Sequence, residues 1–326
     1  TADLDRKSRP VLVWATVGAA FLTFNIYLFA RWWWTGDAKT VGTGSDPVPT
    51  RMKVAVHTWE ALISVGCVLL FYRYVIKPWR RDRRLEFDSL LVLSFCTIMW
   101  QDVFMNFTQT SFLYTAEFIN FGSWYKGVPG WVSPHGSNVP EPVVGIFTLY
   151  GPFFFLGAVF GCWCMRKAKE LRPTLRSTSL FAVGTFAFMV FLAIFEVTMM
   201  WSGAMWAYPG AVRHGPLRWL TLFGGHYYQY PLYSEALFGG ALMATFAALR
   251  YFKNDKGQSW AERGIDEVSV GPRQKTGIRL LAIIGILNAI YLCVYFIPWN
   301  VFSLNSDAWP KDIVDRSYLI GGNACG

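Results

Sequence analysis

Four carboxylates interrupt stretches of sequence that are otherwise apolar: Glu60, Asp102, Glu196 and Glu235. An ionisable group inside an apolar span costs about 2.5–3.5 kcal/mol even on lenient insertion scales, so each one needs a reason. Carboxyl groups in aromatic surroundings are material for acid/base catalysis: one kept neutral acts as general acid, and another supplied with polar donors stays ionised as base. The neighbouring residues extend the pattern. His57 precedes Glu60 by three residues, which puts both on one helical face, and Gln101, Asp102 and Asn106 form a polar cluster on the next helix. His226, Tyr227, Tyr228 and Gln229 run directly into the stretch that carries Glu235. Asn25 and Asn288, alone in apolar runs, read as helix-packing hydrogen bonders.

Chemistry of this kind needs no cofactor, and the motifs of several other chemistries are missing. The chain has 4 His, too few for the clustered His boxes of di-iron membrane enzymes. It contains no Walker-type loop, no GxGxxG before a helix, no CxxCH and no GxSxG. A mononuclear metal site built from His57, Glu60 and Glu235 stays open as an alternative, with no ligand spacing behind it. The 6 Cys form neither a disulfide framework nor a zinc pattern; Cys325, in the polar tail, is the one placed to pair.

The elements that must position these residues are membrane helices. Of 326 residues, 53% are hydrophobic and 16% charged. A typical soluble domain is about one quarter charged, so an ordinary soluble enzyme is excluded. Seven apolar runs, near 11–31, 53–76, 87–107, 143–165, 178–201, 232–252 and 278–298, reach the length that spans a bilayer core. The expectation is an all-α polytopic protein, one transmembrane domain over residues 1–326 with about seven spanning helices. The first run follows Arg6, Lys7 and Arg9 but has a long apolar core and no small-residue cleavage pattern, so it reads as a retained helix. Sorting the 30 Lys and Arg by alternate sides puts 21 on one side and 9 on the other, which predicts the N-terminus inside and the C-terminus outside. The runs KPWRRDRR (77–84) and RKAKELRPTLR (166–176) are then orientation signals that meet anionic lipid headgroups, and nucleic acid is not expected as a partner. The polar inner loop 253–277 is assigned no chemistry.

At 1.5 Å per residue, Asp102 lies about 22 Å and Glu196 about 27 Å from the inner ends of their helices. Glu60 and Glu235 lie within two turns of the outer ends of theirs. All four share the outer third, which predicts one polar chamber open to the outer side. Two outer loops, 108–142 and 202–231, are rich in aromatics, Gly and Pro, and are long for structureless connections; they are expected to roof the chamber. Simpler readings stand beside this one: Glu60 and Glu235 can snorkel to water, and the loop Trp and Tyr can form an interfacial belt. The tail 309–326 is placed on the same side, as part of the roof.

The segments NFGSWYKGVPGW (120–131), PEP (140–142) and WRRDRR (79–84), set in the seven-helix layout, resemble the AveC-type spirocyclase family of the avermectin pathway, over nearly the whole chain. The resemblance implies conversion of a linear dihydroxyketone in a polyketide to a spiroketal, in some members with dehydration of the ring. It implies no cofactor, and an integral protein of a bacterial cytoplasmic membrane. On that reading Asp102 and Glu196 form the acid/base pair, with Glu60, His57 and Glu235 as a further carboxylate, relay or tuning groups. Trp124, Trp131, Tyr228 and His226, with Gln101, Asn106 and Asn120, shape the substrate pocket. The expected partners are membrane lipids and an apolar small-molecule substrate that enters from the bilayer or the outer chamber. Two alternatives remain at this point: a membrane terpene or meroterpenoid cyclase, which also needs a buried acid and an aromatic cage, and a non-enzymatic lipid-binding or transport protein.

Overall fold

The computed structural model describes residues 9–134, 136 and 139–321; Arg6, Lys7 and Cys325 lie outside them. Helix α1 (Pro10–Trp34) starts with proline in its first turn, where the missing N–H has no helical partner to lose. Helix α2 (Thr50–Phe71) runs through a π-turn, Tyr72–Ile76, into α3 (Lys77–Asp82). Pro78 cannot donate to the Tyr74 carbonyl four residues back. The Ser89 hydroxyl donates to that carbonyl instead, at 2.6 Å.

The expected helix 87–107 breaks. Helix α4 (Phe87–Phe95) ends where Ser94, Cys96 and Thr97 bond back onto the carbonyls of Leu90, Val92 and Ser94. Such back-bonding bends helices, and the chain resumes as a 3-10 helix, Met99–Asn106, at an angle of 41°. Then follow α5 (Phe147–Leu171) and α6 (Ser177–Gly203). A π-turn, Tyr233–Gly239, leads into α7 (Gly240–Tyr251). Helix α8 (Pro272–Ile290) passes through a further π-turn, Tyr291–Phe296, into α9 (Ile297–Ser303), and the short α10 (Lys311–Val314) lies in the tail.

Five helical stretches are long and apolar enough to cross a membrane, six if the bent pair counts as one, against the seven expected. The difference is the stretch 232–252, which has a physical reason to be less apolar. Helix α7 packs against α5 and α6 and buries Leu242, Met243, Phe246 and Leu249. Its Arg250 grips Asp88 of α4 with two hydrogen bonds, of 3.0 and 2.8 Å. A helix surrounded by protein has no need of a lipid-compatible surface. By contrast α2 and α6 expose Leu62, Val65, Val68, Phe186 and Ile194, outward apolar faces consistent with a membrane protein.

The loops are structured by three short antiparallel ladders. Strand β1 (Leu113–Tyr114) pairs with β4 (Trp206–Ala207), joining the two long loops to each other. Strand β2 (Asn120–Gly122) pairs with β3 (Pro140–Pro142), and β5 (Thr221–Leu222) with β6 (Tyr230–Pro231). The tail is bound in as well: the Ala116 amide donates to the Tyr318 carbonyl at 2.8 Å, and Ile313, Tyr318 and Leu319 are buried against the loops. Loops and tail make one cap on the helix bundle.

Helices α1 and α8 touch backbone to backbone at Gly18 and Gly285. A Cβ on Gly285 would lie 2.2 Å from the Trp14 carbonyl oxygen, and one on Gly18 1.8 Å from that of Leu281. Small residues at such crossings replace the hydrophobic drive that lipid removes. Gly285→Ala is therefore expected to cost about 3 kcal/mol or more, since rigid backbone faces the added methyl. A thermal melt in detergent checks this, and a variant as stable as the parent would mean that the helices do not meet at these glycines.

Candidate active site

Beneath the cap lies a cavity of about 80 Å³ whose lining includes Asp102, Glu196 and Glu235. They come from three separate elements: the 3-10 segment after the α4 break, the last turns of α6, and the π-turn before α7. Phe153, Phe154, Phe195 and Phe112 complete an aromatic wall. Asp102 and Glu196 are buried. Among the described residues none of the three carboxylates has a cationic partner.

Hydroxyl and indole donors take the place of cations. Tyr114 donates to Asp102 Oδ1 at 3.2 Å, and Tyr150 makes a short hydrogen bond to the same oxygen. The hydroxyls of Tyr150 and Tyr291 lie 3.0 Å apart, extending the chain along the cavity wall. The Trp206 indole and the Tyr208 hydroxyl donate to Glu196 Oε2 at 2.6 and 2.8 Å. Tyr295 makes a short hydrogen bond to Glu235. Burial pushes the Tyr114 and Tyr208 phenols well above their ordinary range, so both remain neutral donors.

The cap delivers two of these donors together. Tyr114 and Trp206 are register partners in the β1–β4 ladder, one aimed at Asp102 and the other at Glu196. Ala204, with a left-handed φ of 46°, turns the chain sharply out of α6 so that Trp206 and Tyr208 fold back onto Glu196, on the same helix.

A fourth carboxyl group belongs to the site. Glu141, in the middle of the PEP strand β3, is buried and hydrogen-bonded to Asp102. It lies in a loop, where a search for carboxylates inside apolar spans does not look. The signal available was the motif itself, an acidic residue held between two prolines.

Glu60 and His57 are elsewhere. Glu60 accepts the Ile119 amide at 2.8 Å and faces His57 Nδ1 at 2.9 Å, while His57 Nε2 faces Glu117 at 3.2 Å. The pair staples the first loop to α2, and neither residue lines the cavity. The metal set His57, Glu60 and Glu235 is thus not assembled, since Glu235 faces the cavity with Tyr295.

The seven residues expected to bind substrate also do not line the cavity. The Trp124 indole donates to the Trp100 carbonyl at 2.8 Å, and Trp131 packs on Phe107 and Tyr125. Gln101 donates to Asn288, Asn106 accepts the amides of Ser111 and Phe112, and Asn120 ties Val41 to the loop. His226 and Tyr228 stack on each other in the cap. Gln101 joins the 3-10 segment to α8, the other six hold or pack the loops, and none of the seven faces the chamber. The aromatics that do roof it, Phe112, Tyr114 and Trp206, sit where the chain has just left a helix.

Glu60→Ala removes the acceptor of the Ile119 amide. A hydrogen bond to a charged group contributes about 1.5–3 kcal/mol, so exchange of that amide should quicken about tenfold or more. Hydrogen–deuterium exchange reads it directly; unchanged protection at residue 119 would remove the staple.

The sequence model of the family described as Spirocyclase AveC-like matches residues 82–319, which takes in Asp102, Glu141, Glu196 and Glu235. No curated protein and no solved structure matches the chain. The match covers well over half of the sequence, and the chain belongs to the AveC-like spirocyclase family.

Proposed function

We propose that the protein is a membrane-embedded, cofactor-independent cyclase that closes an apolar dihydroxyketone of polyketide type to a spiroketal by general acid/base catalysis. Family membership supports a cyclase-type enzyme. The observation that carries the chemical reading is the convergence of Asp102, Glu196 and Glu235 on one aromatic cavity. On this reading the α7 stretch crosses the membrane with the other six, which keeps the two termini on opposite sides.

The reaction divides between an acid and a base. The acid protonates the ketone oxygen while the base takes the proton of the first attacking hydroxyl, giving a hemiketal. The base returns its proton to the acid, which protonates the hemiketal hydroxyl; the C–O bond breaks, and water leaves an oxocarbenium ion. The second hydroxyl adds to that carbon and gives its proton to the base, which passes it to the acid, so that dihydroxyketone becomes spiroketal plus water and both groups are restored. Aromatic faces from Phe153, Phe154, Phe195 and Trp206 attract the transient cation through their ring quadrupoles. Dehydration of the product ring uses the same acid and base. How the walls orient the chain as the second hydroxyl attacks sets the spiro configuration.

A cavity of about 80 Å³ is small beside such a substrate. Typical small-molecule sites hold about 300–1,000 Å³, so entry requires movement of the walls. The π-turns 233–239 and 291–296 form two of those walls, and π-turns in helices are frequent at functional sites. Substrate then enters from the bilayer side between helices.

Asp102→Asn and Glu196→Gln are each expected to lower kcat for cyclisation of a dihydroxyketone by about 10²–10⁴-fold in native membranes. Product analysis by chiral chromatography supplies the rate and the configuration. Wild-type turnover in both variants would end the acid/base reading, and cyclisation of a prenylated chain instead would favour a terpene cyclase.

A further inference from the structure

Asp102 and Glu141 are two buried carboxyl groups within hydrogen-bond reach of each other, and among the described residues neither pairs with a cation. A hydrogen bond between carboxyl groups requires a proton, since two carboxylates are acceptors only and repel. One proton therefore belongs to the pair, and the surrounding donors show where it sits. Two phenols, Tyr114 and Tyr150, aim their hydroxyls at a single oxygen of Asp102. Glu141 meets one hydroxyl, that of Ser123, against the two phenols on Asp102; donors converge on the residue that is acceptor-only, which is Asp102, and the proton resides on Glu141.

The backbone around Glu141 is built to hold it. Pro142 restricts the residue before it to extended conformations, and β3 is clamped by β2 with Phe121 opposite Glu141. Pro140 on the other side fixes its own φ. Burial first, and then the adjacent Asp102 charge, push the Glu141 carboxyl well above the usual carboxylate range.

We propose that Glu141 is a positioning residue held neutral so that its O–H donates to Asp102, which makes Asp102 the base and leaves the acid to Glu196. The division of roles rests on the cyclase reading; the protonation of Glu141 does not. Three donors, from Tyr114, Tyr150 and Glu141, then hold Asp102 ionised inside an apolar bundle. Glu196, standing across the same cavity with both of its donors on Oε2, has Oε1 left to carry a proton to the substrate oxygen. A neutral carboxylic acid kept as a hydrogen-bond donor is an established way to stabilise a neighbouring charge in a dry site.

The test uses the full chain in detergent micelles. Infrared spectra at neutral pH should show a protonated-carboxyl band in the wild type that Glu141→Gln loses; identical spectra overturn the proposal without reference to any substrate. The pH profile of kcat on a synthetic dihydroxyketone then tests the role. A general base fails as pH falls and it takes up a proton, so removal of a donor that favours its carboxylate makes that failure begin at higher pH. Glu141→Ala should therefore displace the acid limb upward by about one pH unit, a loss that approaches about tenfold at pH values on that limb. Glu141→Gln, whose amide N–H replaces the O–H, should recover most of that loss. A profile for Glu141→Ala that superimposes on the wild type, or a Gln variant no better than Ala, rejects the positioning role. Absence of turnover in the wild type with the infrared band present would reject the cyclase reading and leave the protonation intact.

Discussion

A carboxyl group sealed into an apolar bundle has to be satisfied by donors that the protein itself supplies, because neither bulk water nor lipid reaches it. In this protein the donors are phenols and an indole rather than cations: Tyr114 and Tyr150 for Asp102, Trp206 and Tyr208 for Glu196, Tyr295 for Glu235. They come from α5, from both long loops and from the π-turn after α8, so that bundle and cap are fastened to each other through the site. The β1–β4 ladder is the clearest case. It joins two loops far apart in sequence, and its register places Tyr114 and Trp206 side by side over different carboxylates. A slip of one residue in either strand would turn its side chain to the opposite face.

The same requirement accounts for the irregular helices. Asp102 sits on a 3-10 segment after a break, Glu235 on a π-turn, and Tyr291 and Tyr295 on another. A straight α-helix repeats its faces every 3.6 residues, whereas a local change of pitch re-aims one side chain without moving the rest. Each deviation is supported locally, as where Thr97 and Ser94 take up carbonyls at the α4 break, or where Ser89 meets the carbonyl that Pro78 leaves free. Gly239 makes room in a related way: a Cβ there would approach a carboxyl oxygen of Glu235 to 2.8 Å.

What the sequence made legible was depth, and what it concealed was rotation. An ionisable residue in an apolar run announces its place along the helix axis, and Asp102, Glu196 and Glu235 do share a cavity. Glu60, for which the sequence suggests a similar depth, turns toward His57 and the Ile119 amide, because an azimuth depends on neighbours that periodicity does not name. The aromatic loops were recognisable as structured from their Pro and Gly. Their side chains were not: Trp124 and Trp131 look inward to backbone carbonyls of their own surroundings, as large rings with one N–H donor do when a loop needs a core of its own. Helix α7 read as a span from its apolar run, yet its composition reflects burial among helices, with Arg250 answered by Asp88 rather than by lipid headgroups.

Charge balance in the cavity limits which chemistry the site can support. Unit charges about 6 Å apart at an effective dielectric near 20 interact by about 3 kcal/mol, so three ionised carboxylates facing one another without cations would oppose folding. A site of this construction favours a single negative charge, and the donors concentrate around Asp102. A reaction that passes through an oxocarbenium ion suits that state: the charge left on the acid when it gives up its proton is offset by the cation, so the cavity keeps a single net negative charge throughout. A reaction that develops negative charge, such as enolate formation, would meet the carboxylate as a repulsion and find no cation to offset it among the described residues. On the proposed cyclase reading, this arrangement of donors suits chemistry that builds positive charge, as ketal formation does, better than chemistry that builds a carbanion.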